Sequence, residues 1–557
     1  MATVQVAGAA AEARGEAEHG ESSRWVAWIL AVAPVVMVVV YWLAASRERR
    51  VYLLEDDAFY YFGVARSIAH GDGSTFAGVA HTNGYHPFWL AVLIPVTWAF
   101  DEVGRLVLGV LLLQGALWVG TVREGLRIGR AVGSWPVAAV GLGAYAVLPL
   151  LTGHLALNGM ESGLALYLLV LAVRLIVCDD GGDVRTTVGG LRVADLRLGV
   201  VLAGLCVTRL DAVFALLPLG VLLMLAPPRR LGALVRRGIA LGGPSAVSLG
   251  TYMAVNWLVF DTTRPVSGES KSLGDPGPDP EALWDFLRMG QIAGVRVWIG
   301  AITVAMVAGT VVLRSWRREG ALGRLASVTL ALTVGEALMV AYLGTQMSFT
   351  FFFPWYHYQL PVMALGAAMC IAAWLETTRA ETLARFAVVP IGLVLVAYGL
   401  NLAQEATEDK GDSVESAEFV TRELPPDAVL AMGDRAGYFG FLANRPLLHL
   451  EGLVADVEYL HQLEAGQGLQ RLVDEGVDFY VHDSRPGLPT DVAGEPCWRF
   501  AEPPYTRGPS YLVTVCERDL VYVAGDPPGD PTFSNTQNEL AIWRFRPELN
   551  QGGAVRA

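Results

Sequence analysis

The stretch of this sequence richest in reactive groups begins with Glu55, Asp56 and Asp57 and continues through Ala58, Phe59, Tyr60, Tyr61 and Phe62 to Arg66. Adjacent carboxylates repel each other, so one of Asp56 and Asp57 can hold its proton to higher pH and serve as a base near neutrality. His81, Thr82, Asn83, Gly84, Tyr85, His86 and Pro87 follow in the same polar segment. A solvated acidic turn beside an aromatic belt would explain the acids alone. It does not explain the histidines and Asn83 so close by.

Four further segments carry groups of the same kind. Asn158–Ser162 puts Glu161 at the start of an apolar block, where an acid either settles on the positive end of a helix or reaches a substrate. Thr208–Asp211 offers Arg209, which can pair with Asp211 or fork a phosphate. Arg264–Ser272 combines glycine, serines and Lys271, a composition suited to a phosphate-binding turn but without Walker spacing. In Trp355–Gln359 a membrane-edge belt accounts for Trp355 and Tyr356, whereas His357 and Gln359 need another reason.

The candidate roles divide accordingly. Asp56 is the first choice for a base and Asp57 a close second. Arg209, Lys271 and His357 are the cations for a phosphate; Asn83, Tyr85, His86, Glu161, Asp211 and Tyr356 are substrate contacts. No metal site is indicated: Asp56, Asp57 and Glu161 could give oxygen ligands to Mg2+ or Mn2+, but the chemistry does not require an ion.

These residues must be positioned by a membrane scaffold. The chain has 557 residues, 53% hydrophobic and only 17% charged, with a mean hydropathy of +0.42. Its apolar blocks, at 24–45, 104–122, 132–152, 162–178, 197–208, 213–226, 238–259, 292–313, 325–345, 357–375 and 386–403, predict about 11 transmembrane helices. The segment 86–100 is too short to span comfortably and suits an interfacial or re-entrant helix. With that segment not crossing, the basic clusters at Arg123–Arg130, Arg229–Arg237, Arg314–Arg324 and Arg379–Arg385 all fall in the cytoplasm; only Arg47, Arg49 and Arg50 violate the positive-inside rule. The reactive segments then gather on the outer side, and polar groups at membrane depth mark function by default.

The domain reading follows. Residues 1–23, Ala/Glu/Gly-rich and acidic, read as a disordered cytoplasmic tail rather than a cleaved signal peptide. Residues 24–404 form the membrane domain, with an outer loop at 46–103 carrying interfacial helices. Residues 405–546 form a small extracytoplasmic α/β or α+β domain, and 547–557 a flexible end. Strands are predicted at Ala428–Met432, Phe479–His482, Tyr511–Cys516 and Ala541–Phe545, with a helix over 457–474. Gly433–Gly440 and His449–Asp456 read as a strand, a glycine-rich turn and another strand, suited to packing or acceptor binding. Cys178, Cys206 and Cys370 read as small buried hydrophobes, whereas Cys497 and Cys516 could pair if their domain lies outside the cytoplasm. A net charge of -13 argues against a nucleic-acid partner.

Asp56, Asp57, Ala58, Phe59 and Tyr60 after a first span, followed by Thr82–Pro87, resemble the integral-membrane glycosyltransferases of the GT-C fold, most closely a bacterial branch with an appended extracytoplasmic domain. His86–Pro87 is similar to the His-Pro-Pro segment of protein mannosyltransferases and aminoarabinose transferases, with Phe88 in place of the second proline. A weaker likeness is to actinobacterial arabinofuranosyltransferases of the cell envelope. The order of the later segments, from Asn158–Ser162 through Gly433–Asp456, also fits. The resemblance implies a multi-pass protein of the bacterial plasma membrane that moves a hexose or pentose from a polyprenyl-phosphate donor to a hydroxyl of a glycan, lipid or protein. It further implies inversion, and a first-loop aspartate, at the position of Asp56, as base. The role of Arg209, Lys271 and His357 at the donor phosphate comes from their chemistry and not from the resemblance. Two rival readings remain: an envelope-lipid transporter or flippase, for which Glu336 is one of the few mid-span acids, and a non-catalytic envelope-assembly scaffold.

Overall fold

The computed structural model describes residues 31–133, 156–178, 187–226, 230–274, 319–346, 354–374 and 411–550, apart from short stretches within them, and a few isolated positions. The blocks predicted at 132–152 and 292–313 lie largely outside the described residues and 386–403 wholly, as do the tail 1–23, Arg229, Arg314, Arg317, Arg318, Arg379, Arg385 and 551–557.

Every apolar block within the described residues folds as a helix. In chain order these are α1 (Ala31–Ala44), then, past α2 (Arg47–Val51) and α3 (Asp56–His70) in the polar loop, α4 (Pro87–Ala99) and α5 (Val103–Ala131). They continue with α6 (Ser162–Val177), α7 (Val193–Thr208), α8 (Val213–Leu225), α9 (Leu231–Phe260), then, beyond the short α10 (Val266–Ser270), α11 (Ala321–Gln346) and α12 (Leu360–Trp374). Among the described residues, Val103–Ala131 and Ala321–Leu343 are long and apolar enough to span a bilayer by length and composition. The longest helix among the described residues, α9, leaves Val247, Trp257 and Leu258 exposed, an apolar face suited to lipid. The short apolar segment at 86–100 is indeed one helix, α4, of 13 residues; Pro87 starts it, where its missing N–H costs nothing.

The polar loop carries helix α3 against the C-terminal domain. The acids Asp56 and Asp57 occupy the first turn of α3, the positive end of its dipole, and Gly71 closes it at φ 90°. In α3, Ala58 through Ala65 are all buried, whereas Arg66–Ala69 are half-buried and His70 is exposed. Its aromatic side chains are covered by the C-terminal domain: Phe59 packs on Tyr438 and Phe441, and Tyr60 on His449. Two of the arginines that violate the charge rule have local partners. Arg47 pairs with Glu418 at 3.0 Å, and Arg50 lies over the Trp42 ring while donating to the Trp42 carbonyl.

The C-terminal domain opens with α13 (Gly411–Glu423) and holds a five-stranded sheet ordered β4-β3-β5-β10-β9, preceded in the chain by the two-residue pair β1 (Thr187–Val188) and β2 (Leu191–Arg192). Strands β3 (Leu430–Met432), β4 (Leu447–His449) and β5 (Phe479–His482) run parallel; β10 (Ala541–Arg544) is antiparallel to β5 and to β9 (Leu520–Val523). A second, antiparallel sheet joins β6 (Leu488–Val492), β7 (Glu495–Glu502) and β8 (Tyr511–Cys516). Cys497 and Cys516 face each other across β7 and β8 and form a disulfide. Two local expectations are corrected. The glycine-rich turn is helix α14 (Ala436–Ala443), because parallel β3 and β4 need a crossover element between them. The helix over 457–474 is two, α15 (Val457–Glu464) and α16 (Gly468–Asp474), parted where Gly466 takes φ 71°.

Candidate active site

Several distant segments meet where the C-terminal domain docks on the loop. Gln114 of α5 builds the first wall: its amide donates to the Met160 carbonyl and accepts from Gly159 N–H, at 2.8 and 2.9 Å. Trp89 donates to the Gly159 carbonyl, and Asn158 Oδ1 accepts from Met160 N–H and Ser162 Oγ. This turn holds Glu161 at the head of α6, 1% exposed. Glu161 Oε1 accepts from Arg209 Nη1 at 2.8 Å and Oε2 from Tyr61 Oη at 2.8 Å. Arg209, equally buried, grips Asp211 through Nε and Nη2 at 3.0 and 2.7 Å and donates to the Trp355 carbonyl. The His86 Nδ1 accepts from Leu210 N–H, which turns Nε2 toward Glu161 at 3.7 Å.

A second wall comes from the loop after α9. Asn83, wholly buried, donates to the Arg264 carbonyl and accepts from Val266 N–H, both at 2.9 Å. That clamp sets α10, whose C-cap is Lys271; Lys271 Nζ donates to Tyr356 Oη at 2.8 Å. The third wall is the C-terminal domain, which contributes Leu453 and Val454. Loop and domain approach so closely at Gly84 that an added Cβ would lie 1.9 Å from the Leu453 carbonyl oxygen.

Between these walls lies a cleft of about 70 Å³, bounded by Asp57, Tyr60, Tyr61, Gly84, His86, Met160, Glu161, Arg209, Ser267, Lys271, Trp355, Tyr356, Leu453 and Val454. That volume suits a reacting group rather than a whole ligand, which needs several hundred Å³. Six of the residues singled out by sequence therefore share one cleft: Asp57, His86, Glu161, Arg209, Lys271 and Tyr356. The other five do not line it. Asp56 points to the domain seam, its carboxylate accepting from Gly437 and Tyr438 N–H at 3.0 and 2.7 Å. Asn83 is the clamp already described, Tyr85 bonds Ser74, and Asp211 backs Arg209. His357 meets Glu336 at 2.5 Å through Nδ1.

The electrostatics separate the two aspartates further. Burial raises Asp57 to about 6, opposed by the Lys271 cation and helped by Glu55 and Asp434. Burial raises Asp56 to about 7, opposed by the Tyr438 N–H and helped by the charge of Asp57. Burial alone would lower Lys271, but Tyr356 and Asp57 leave it raised and charged. Burial lowers His86. The arrangement can take a proton at Asp57 and receive negative charge at Lys271.

Both Asp56 oxygens meet backbone N–H groups, and both Glu161 oxygens meet Arg209 or Tyr61. Among the described residues, the one group of three His, Cys, Asp or Glu side chains able to converge on an ion is Glu495, Cys497 and Cys516, and those cysteines are bonded to each other.

Sequence reasoning missed Tyr61, Leu453 and Val454. Tyr61 stood in the quoted aromatic run with nothing to distinguish it. Leu453 and Val454 are apolar and lie far along the chain, and only the domain docking brings them in.

No protein-family model matches the chain, and no curated protein does. Solved structures do. The apo oligosaccharyltransferase of Archaeoglobus fulgidus aligns over 82% of this chain and 69% of its own, at 12% identity and a TM-score of 0.52. ArnT from Cupriavidus metallidurans aligns over 80% and 92%, at 14% identity and a TM-score of 0.49. The mycobacterial arabinofuranosyltransferase AftD aligns over 94% of this chain but 40% of its own, at 14% identity and a TM-score of 0.43. All three are GT-C fold glycosyltransferases. At such identities the likeness concerns the fold alone, and the archaeal match carries it: this chain has the GT-C fold.

Proposed function

We propose that the chain is a glycosyltransferase that moves a sugar from a polyprenyl-phosphate donor to an acceptor hydroxyl. In this reading the reaction takes place at the outer face, beneath an extracytoplasmic C-terminal domain, in a protein of about 11 spans with a cytoplasmic N-terminus. The observation that carries it is the meeting of a carboxylate raised to about 6, Asp57, and a partly buried cation, Lys271, in a cleft where the C-terminal domain docks on the helix ends.

Asp57 accepts the proton of the acceptor hydroxyl as its oxygen bonds to the anomeric carbon. The bond from that carbon to the phosphate oxygen breaks on the opposite face, so the configuration inverts. The leaving phosphate's charge is taken up by Lys271, steadied by Tyr356. Glu161, Arg209 and Asp211 hold one another, and through Tyr61 and His86 they fix the wall against which the sugar lies. Asp56 acts on the geometry: it bonds the start of α14 and so seats the C-terminal domain over its neighbour Asp57. Glu336, the acid a transporter reading would lean on, is engaged by His357.

The test is transfer by the purified chain from a polyprenyl-phosphate hexose and a polyprenyl-phosphate pentose. Asp57→Asn should lower turnover by about 10²–10⁴ with the fold retained, and Asp56→Asn by much less. Full-speed transfer in Asp57→Asn, or none by the unaltered chain from either donor, would overturn the proposal.

A further inference from the structure

A second cavity lies along α3 from the cleft. It encloses about 540 Å³ between the end of α3, the loop that follows, the turn from α4 to α5 and the end of α14. That is room for a ligand, where the cleft has room only for a reacting group. Arg66 on its wall stands nine residues beyond Asp57 in the same helix, roughly 14 Å away at 1.5 Å per residue. The two spaces adjoin across a pair of rings: Tyr60 lines the cleft, Phe76 lines the cavity, and their centroids are 5.2 Å apart. The loop wall is fixed in place. The Ala77 carbonyl accepts from Leu447 N–H at 3.3 Å, and Thr75 Oγ1 accepts from Gly78 N–H at 2.9 Å. His70, Asp72 and Asp101 are exposed, so the cavity has a mouth at the surface.

The charged groups of this lining do not close on one another. Arg66 lies over the Phe441 ring at 4.1 Å and gives one N–H to the Phe441 carbonyl at 3.3 Å. Arg445 donates to the Asn444 and Thr421 carbonyls, and its Nε has no hydrogen-bond partner. Among the described residues neither arginine reaches a carboxylate, although Asp101 lies near enough to oppose the burial that lowers Arg66. The Asp72 side chain has no partner among the described residues, and Asp101 meets His70 at 3.9 Å. His70 itself gives Nδ1–H to the Arg66 carbonyl at 2.8 Å, since a carbonyl only accepts. Arg209 shows the contrary case, a guanidinium closed onto two carboxylates to fix a wall. Here two guanidinium groups offer donors only and two carboxylates offer acceptors only. A hydroxyl both donates and accepts, so a neutral polyol can satisfy all four, whereas a polyanion would meet Asp72 and Asp101. An extended peptide docks on a free strand edge, and Ala77 already bonds the edge strand β4.

We propose that this cavity holds a neutral glycan, its hydroxyls bridging Arg66 and Arg445 to Asp72 and Asp101, as the part of the acceptor that trails the hydroxyl reacting at Asp57. The acceptor role rests on the transfer reading given above; the glycan site does not. The full chain, fluorescently labelled and in detergent, is applied without donor to an immobilised panel of short oligosaccharides, neutral ones beside sulfated and uronic-acid-bearing ones. Neutral glycans should be retained in preference. Arg66→Met keeps an apolar stem on Phe441 and removes the donors; Asp72→Ala removes an acceptor at an exposed position. Each should weaken that retention about tenfold, the loss of one hydrogen bond to a charged group. Unchanged retention in both variants, preference for acidic glycans, or no retention of any glycan would overturn the proposal. If Arg66→Met does not fold, Asp72→Ala carries the same comparison. Retention by a chain that transfers no sugar would remove only the acceptor role, whereas transfer without retention would overturn the glycan site and leave the reaction standing.

Discussion

The two sides of the cleft treat charge in opposite ways. On the membrane side every charge has its counterpart: Arg209 lies between Glu161 and Asp211 and donates to both. Toward the C-terminal domain acids gather: Asp56, Asp57, Asp434 and Glu502 all bear on Glu451, and burial followed by that repulsion raises it well above the usual carboxylate range. A balanced wall fixes geometry. A wall of acids moves protons, and Asp57 stands where the two meet.

The largest effect comes from removing the balance. Arg209→Met leaves Glu161 and Asp211 buried without their cation and should cost about 3–5 kcal/mol of stability, read as a fall in the thermal unfolding midpoint. Adding Glu161→Gln and Asp211→Asn removes the stranded charges and should restore most of it. A triple variant as unstable as Arg209→Met would mean that the wall is held by packing rather than by charge.

Proton linkage gives the next largest effect, with opposite signs on the two sides. Asp211 is lowered, since Arg209 outweighs the burial that would raise it; the stability it contributes is present above the ordinary aspartate value near 4 and is lost on further acidification. Asp56 and Asp57 are raised by burial to about 7 and about 6, so their contribution is full below pH 4 or so and is lost as pH rises through those values. The unfolding midpoint should therefore fall between about pH 4 and about pH 7, from the unfolded aspartate value up to these two folded values. Asp56→Asn should remove the upper part of that fall. A midpoint flat across the window in the unaltered chain would show that the acids at the seam are solvated and the contrast false.

The sequence exposed this contrast only in part. The described apolar blocks all became helices, because a run of apolar residues at membrane length leaves the backbone no other way to satisfy its hydrogen bonds. The reactive segments were visible as polar residues at helix ends, where they are costly without a purpose. Asp56 and Asp57 could not be told apart from sequence, since adjacent residues on a helix point about 100° apart and the docking of α14 decides which one faces the cleft. Gly433–Gly440 looked like a turn because its glycines mask a crossover helix that only the pairing of β3 with β4 demands. His357 drew attention as a polar residue among aromatics, and its reason is Glu336, which reaches it from another helix.

The smallest predicted effect tests whether the domain seam belongs to the acidic side at all. Tyr60 borders the cleft, and its hydroxyl meets His449 Nε2 at 3.0 Å across the seam. Burial lowers His449 to about 3, so the imidazole is neutral at working pH and its link to Tyr60 is an uncharged hydrogen bond. Tyr60→Phe keeps the ring packed on Phe76 and His449 and removes only that bond. The cost should be about 1–3 kcal/mol, because a buried polar group loses its partner. If the seam sets the position of Asp57, transfer should slow several-fold with little change in acceptor KM, and protease cleavage between the two domains should quicken. Unchanged turnover together with quicker cleavage would separate docking from catalysis and confine the proton chemistry to the loop itself.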